Sequence, residues 1–120
     1  MFDYQNSLVL LRGKFVPFKE ANVSIASSPV LYGLAVYTVF NVRYDSAKLH
    51  IFRLKDHYDR LCNSARIMDF TDFTSMMNYE QFEDAMISLL KQNNVHENVL
   101  VRASLFIDEL IARPNQGLKN

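Results

Sequence analysis

The 120-residue sequence has one cysteine, three glycines and no net charge, and each shortage removes a class of function. A lone thiol, Cys62, can close no internal disulfide, which groups the chain with proteins of reducing compartments. The histidines at 50, 57 and 96 show no close pairing with one another or with that cysteine, so the ligand spacing of a zinc site is missing. With so little glycine there is no phosphate-cradling loop, and neither a Gly-x-Ser-x-Gly elbow nor a cysteine-histidine signature offers a nucleophile. Thirteen basic and thirteen acidic side chains cancel, and no basic run stands out. Neither nucleic acid nor a membrane surface is therefore a predicted partner. No signal-like start and no long uncharged apolar segment occurs, so the expected location is the cytoplasm.

What remains is a 49% hydrophobic chain, long enough for one domain with a core. In SLVLLRGKFVPF two apolar runs flank Arg12, Gly13 and Lys14, which predicts two strands joined by a tight turn, with Pro17 at a strand end or edge. VSIA reads as a short extended piece, followed by turn residues Ser27, Ser28 and Pro29. VLYGLAVYTVFNVRY is apolar on both alternating faces, with Val36, Thr38, Phe40 and Val42 on one and Ala35, Tyr37, Val39 and Asn41 on the other. Such a run predicts a strand buried on both sides, preceded by a helical turn or bend before Gly33. Asp45, Ser46 and Ala47 then make a turn, and LHIF a further short strand.

Two helices follow from the 3.6-residue period. In FRLKDHYDRLCNSARIMDF, Leu54, Tyr58, Leu61, Cys62, Ala65 and Met68 form one apolar stripe, in which Cys62 is a small packing residue. A second helix starts near Asn78, a good N-cap with Gln81 three residues on, and ends in Gln92, Asn93 and Asn94. NVLVRASLFI alternates as a strand, Val99, Val101, Ala103 and Leu105 against Leu100, Arg102, Ser104 and Phe106. ARPNQGLKN is polar and turn-rich, as a linker would be. The pattern predicts an α+β fold with a mostly antiparallel sheet and two helices packed on one face.

Four side chains invite a second reading. Arg60 is either a surface partner of Asp56, one turn earlier, or a ligand-holding group. Arg102, central in an apolar strand, is read as an inward guanidinium that needs an anion, supplied by a carboxylate of the domain or of a ligand. Tyr32 and Tyr37 are core aromatics or pocket walls. His57 is read as bonding a backbone carbonyl to lock the start of its helix, the catalytic alternative being the weaker one.

The order GKFVPFKEANVSI, LYG, LHIFRLKDHYDRLCNSARI, LKQNN and VLVRASLF resembles the N-terminal small domain of the class IV aminotransferases, the pyridoxal phosphate enzymes of fold type IV. That family includes branched-chain and D-amino acid aminotransferases and aminodeoxychorismate lyase. The resemblance runs from about Gly13 to Phe106 and is most specific at the Phe-Arg-Leu entry followed by His57, Arg60, Leu61, Ser64 and Ala65. It implies a small domain over residues 1–109, an interdomain linker over 110–120 and a large catalytic domain absent from these residues. It implies that Arg60 grips the phosphate of pyridoxal 5'-phosphate, and that Tyr32, Tyr37 and Arg102 wall the substrate side, across a homodimer interface. Amino acids and 2-oxo acids would be the substrates, branched-chain ones first. The Schiff-base lysine belongs to the family's second domain, so no catalytic residue is assigned here and the fragment alone is expected to be inactive. Where branched-chain enzymes follow the Tyr37 position with Glu-Gly-x-Arg, this chain has Thr38, Val39, Phe40 and Asn41, and Leu100 stands where many carry tyrosine. Lyase chemistry of the aminodeoxychorismate type, or a stand-alone binding module, are the alternatives.

Overall fold

The computed structural model describes residues 1–70 and 72–108. The linker expected at 110–120, and residue 109 before it, lie outside the described residues. Two strands, β1 (Leu8–Leu11) and β2 (Lys14–Pro17), pair antiparallel with Leu11 opposite Lys14. The turn is thus the two residues Arg12 and Gly13, with φ of 52° and 78°. Positive φ at both positions gives the turn whose twist matches a hairpin, which is why glycine stands there. The Arg12 guanidinium also holds Asp108 by two bonds, Nε to Oδ2 at 2.7 Å and Nη2 to Oδ1 at 3.0 Å, and keeps that carboxyl below its usual range. Both groups are well exposed, so the pair contributes modestly.

VSIA forms no strand. Ser24 instead accepts the Ala26 N–H at its hydroxyl and the Ser27 N–H at its carbonyl, a local turn that outcompetes extension. Ser27 leads into a short helix, α1 (Ser28–Tyr32), closed by Gly33 at φ 66°. Then come β3 (Ala35–Asp45), the Ser46–Ala47 turn, β4 (Lys48–Ile51), α2 (Leu54–Ile67), the single turn α3 (Phe73–Met76), α4 (Tyr79–Gln92) and β5 (Val99–Phe106). Asn78 and Gln81 cap α4 reciprocally, side chain to backbone in both directions. At the other end of α4 the Asn93 amide bonds both the N–H and the carbonyl of Leu8, tying helix to hairpin.

β4, β3 and β5 form one antiparallel sheet in that order, with Thr38 opposite Ala103 and Val42 opposite both Ile51 and Val99. The helices α2 and α4 cover one face, so the predicted architecture holds, with the hairpin as a separate two-stranded piece. The core joins Phe40, Val42 and Val101 of the sheet to Leu61, Ala65, Phe82, Met86 and Leu90 of the helices. The expectation that β3 is buried on both sides is corrected: Thr38, Phe40 and Val42 are buried, whereas Ala35, Tyr37, Val39 and Asn41 face outward and are exposed. Apolar residues on both faces mark two surfaces suited to contact, and only one of them is covered by helices. Cys62 is half-buried beside this core, and Met68, just past the helix end, is exposed.

Tyr58 lies within the core with its hydroxyl donating to the Met77 carbonyl at 2.7 Å. Burial, joined by the neighbouring Cys62 thiol, pushes its phenol up to about 12. A folded pKa above the unfolded value of about 10 means that its contribution is complete below that pH and is lost as pH climbs through the folded value. Tyr58→Phe is expected to cost about 1 kcal/mol at neutral pH, through the unpaired carbonyl, and to flatten the loss of stability between about pH 10 and 12. Urea unfolding across that range measures both, and an unchanged alkaline slope would contradict the assignment.

Candidate functional site

The outward face of β3 and β5 carries two of the four predicted site residues, Tyr37 and Arg102. Register places Tyr37 opposite Ser104, Val39 opposite Arg102, and Asn41 opposite Leu100, all on the uncovered side. Arg102 leans diagonally along this face. Its guanidinium carbon lies 3.8 Å from the centre of the Tyr37 ring, and its Nε donates to Ser104 Oγ at 3.3 Å. Stacking of this kind fixes the plane of the cation while leaving its edge able to meet an anion. The inward guanidinium expected from the sequence is therefore corrected: alternation sends Arg102 opposite to the buried Val101, and it is exposed.

Arg60 reaches the same residue from the helix side. Strand parity explains how. Ile107 donates to the Leu34 carbonyl, so even-numbered residues of β3 bond toward β5, while the Asn41 carbonyl accepts from Phe52 on the β4 side. Tyr37 shares the parity of Asn41, but β4 pairs no residue before Val42. Its carbonyl thus faces an unpaired sheet edge, and Arg60 Nη1 donates to it at 3.1 Å. The surface-pair alternative for Arg60 is overturned, because Asp56 is taken by Arg53, Nε to Oδ2 at 2.6 Å. Among the described residues neither Arg60 nor Arg102 is in an ion pair.

Among the described residues the His57 imidazole bonds no backbone carbonyl. Its Nδ1 is 2.9 Å from Thr38 Oγ1, and its ring is 5.8 Å from that of Phe40. Thr38 was missed as a site residue, although a hydroxyl alternating with Val36, Phe40 and Val42 on an apolar face is a signal that a partner is needed. Tyr32 ends α1 with 58% of its surface exposed. Among the described residues no hydrogen bond or ring contact ties it to the cluster around Tyr37. The structure therefore brings Arg60, Tyr37 and Arg102 together and leaves Tyr32 apart.

This cluster is an open surface. A shallow groove of about 810 Å³ lies at the other end of the sheet, lined by Met1, Phe2, Arg43, Glu97 and Leu100 among others, and includes none of the four predicted residues. An enclosed site at Tyr37 accordingly needs a second surface laid over Tyr37, Val39 and Leu100, which are 48%, 37% and 68% exposed. As for a phosphate-bearing cofactor, the Arg60 fork has one N–H group on a neutral carbonyl and, among the described residues, no carboxylate bound, so its remaining donors fit a dianion. No group of three or more potential metal ligands occurs among the described residues, and none of their helices is long and apolar enough to cross a membrane.

No protein-family model matches the chain. It is similar to a probable branched-chain-amino-acid aminotransferase of Aquifex aeolicus, 26% identical over 116 residues that cover 93% of this chain and 36% of that protein. Its fold superposes on the branched-chain aminotransferase of Thermoproteus uzoniensis solved with norvaline, with TM-score 0.80 and 26% identity over 94% of this chain and 37% of that one. A second solved branched-chain amino acid aminotransferase, in complex with N-(5'-phosphopyridoxyl)-L-glutamate, gives TM-score 0.73 at 25% identity, over 88% and 34% of the two chains. The sequence thus spans about a third of the length of the relatives it matches.

Proposed function

We propose, for a chain with the fold and sequence pattern of the N-terminal domain of class IV aminotransferases, that it forms one wall of a pyridoxal 5'-phosphate site completed by a larger second domain. The observation that carries this reading is the convergence of Arg60 and Arg102 on Tyr37, the first at its edge carbonyl from the helix side and the second over its ring on the uncovered face, neither in an ion pair among the described residues. Arg60 holds the cofactor phosphate. Tyr37 and Arg102 wall the substrate side, with Tyr32 contributing from its separate position. The cofactor, when bound, supplies an electron sink for amino-group chemistry, while the protein supplies orientation and charge. The reaction is transfer of an amino group between an amino acid and a 2-oxo acid, carried out by a cytoplasmic homodimer. The Schiff-base lysine comes from the second domain, so the fragment alone is inactive.

The named relatives support branched-chain substrates, and the test is which donor is consumed. The protein carrying this domain is given 2-oxoglutarate with leucine, D-alanine or aminodeoxychorismate. Glutamate formed at the expense of leucine is the expected result. Consumption of D-alanine would move the protein to another branch of the same chemistry, and breakdown of aminodeoxychorismate without 2-oxoglutarate would make it a lyase. If no donor is consumed by cofactor-loaded protein, the proposal fails.

A further inference from the structure

We propose that the Thr38–His57 hydrogen bond, buried at its threonine end, is a positioning device, holding α2 against β3 so that Arg60 is aimed at the anion it binds. The inference deepens the reading of Arg60 as the phosphate-holding residue and depends on it.

Thr38 is 1% exposed, on the face of β3 that also buries Phe40 and Val42. Valine has nearly the same shape and would leave no polar atom there, so the hydroxyl is useful only through its partner. That partner is His57 Nδ1 at 2.9 Å, and the bond links strand to helix whichever of the two donates. Arg60 follows His57 by one turn on the same side of α2, and Tyr37 precedes Thr38 on β3. Two bonds therefore join consecutive residues of the strand to consecutive turns of the helix, Thr38 to His57 inside and Tyr37 carbonyl to Arg60 at the edge. A rotation of α2 by one residue, about 100°, would break both bonds at once.

The two bonds differ in kind. The inner one is short and sheltered by the Phe40 ring, whereas the outer one is made by an exposed, long side chain to a neutral carbonyl. Of the two, only the inner bond is sheltered enough to add to the core packing of Leu54, Tyr58, Leu61 and Ala65 in fixing the helix. The outer one reads out where the helix has been fixed, and leaves the rest of the guanidinium for the anion. Thr38 and His57 touch neither cofactor nor substrate in this assignment and act only through Arg60.

The experiment compares affinity for pyridoxal 5'-phosphate with affinity for phosphate-free pyridoxal, in the apo form of the protein carrying this domain. Thr38→Val is expected to weaken the phosphorylated ligand about tenfold and leave pyridoxal unchanged, while Thr38→Ser, which keeps the hydroxyl, stays within about twofold of wild type. A parallel loss for both ligands, or no loss for either, overturns the inference, since a general structural role cannot distinguish them. Should Thr38→Val fail to fold, His57→Asn against His57→Ala makes the same comparison, because the asparagine amide can occupy the place of Nδ1 and the alanine cannot. Arg60→Ala serves as the reference. If it discriminates the two ligands and the Thr38 and His57 variants do not, positioning alone is wrong. If Arg60→Ala itself fails to discriminate, the assignment of Arg60 falls and takes the positioning role with it.

Discussion

Arg60→Ala, made in the protein that carries this domain, is expected to weaken pyridoxal 5'-phosphate binding by roughly ten- to a hundredfold, the equivalent of one charged hydrogen bond of about 1.5–3 kcal/mol. The folded state should hardly notice. Arg60 is exposed, and its one bond is to a carbonyl at an edge that water can reach, so the stability change should stay within about 0.5 kcal/mol. Arg60→Lys tests geometry separately from charge. A lysine keeps the positive charge but not the fork, so an intermediate loss is expected if the phosphate is held by more than one N–H. Raising the salt concentration should narrow the gap between wild type and variant, because an exposed cation is screened. Titration of apo protein followed by cofactor absorbance measures all of this. Equal affinities for wild type and Arg60→Ala would leave the guanidinium as no more than a cap on a strand edge.

How much of this site could be seen in the sequence depends on the kind of interaction. The helix α2 and the capped start of α4 were legible, because periodicity and the Asn78–Gln81 pair are local. The alternation of β5 placed Arg102 opposite Val101 correctly, but the sequence does not say which face of a sheet is covered, and the inferred burial was wrong. The same gap made β3 look buried on both sides. The contacts that organise the site are of two less visible types. The Tyr37 carbonyl is a backbone group, free only because β4 begins pairing at Val42, and no side-chain pattern marks such an end. The Thr38–His57 bond spans 19 residues and requires α2 to be laid on β3 first. VSIA failed for a different reason: its β-branched residues suggest extension, but Ser24 supplies the turn with its own hydroxyl and carbonyl.

Phe40→Ala should be the most damaging single truncation in the domain, at about 3–5 kcal/mol, while Val39→Ala beside it should cost under about 1 kcal/mol. Neighbours in one strand differ this much because alternation turns one inward and the other outward. Phe40 is 1% exposed, in the core shared by Leu61 of α2 and Val101 of β5, whereas Val39 is 37% exposed on the uncovered face. Removing the ring deletes buried carbon and leaves a cavity that rigid neighbours on two elements cannot close. It also takes away the surface against which the His57 imidazole lies, 5.8 Å between ring centres, so the Thr38–His57 bond loses its shelter. For a domain whose total stability is on the order of 5–15 kcal/mol, such a loss moves the urea midpoint far or leaves no folded state. Val39→Ala in turn tests the outward face. If that face is covered by a second domain in the intact protein, Val39→Ala should cost more there than in the isolated chain, because the methyl groups are then buried in the larger assembly. Similar midpoint shifts for Phe40→Ala and Val39→Ala in the isolated chain would mean that the sheet does not have one buried and one open side, and the cluster around Tyr37 would lose the exposed platform on which its chemistry depends.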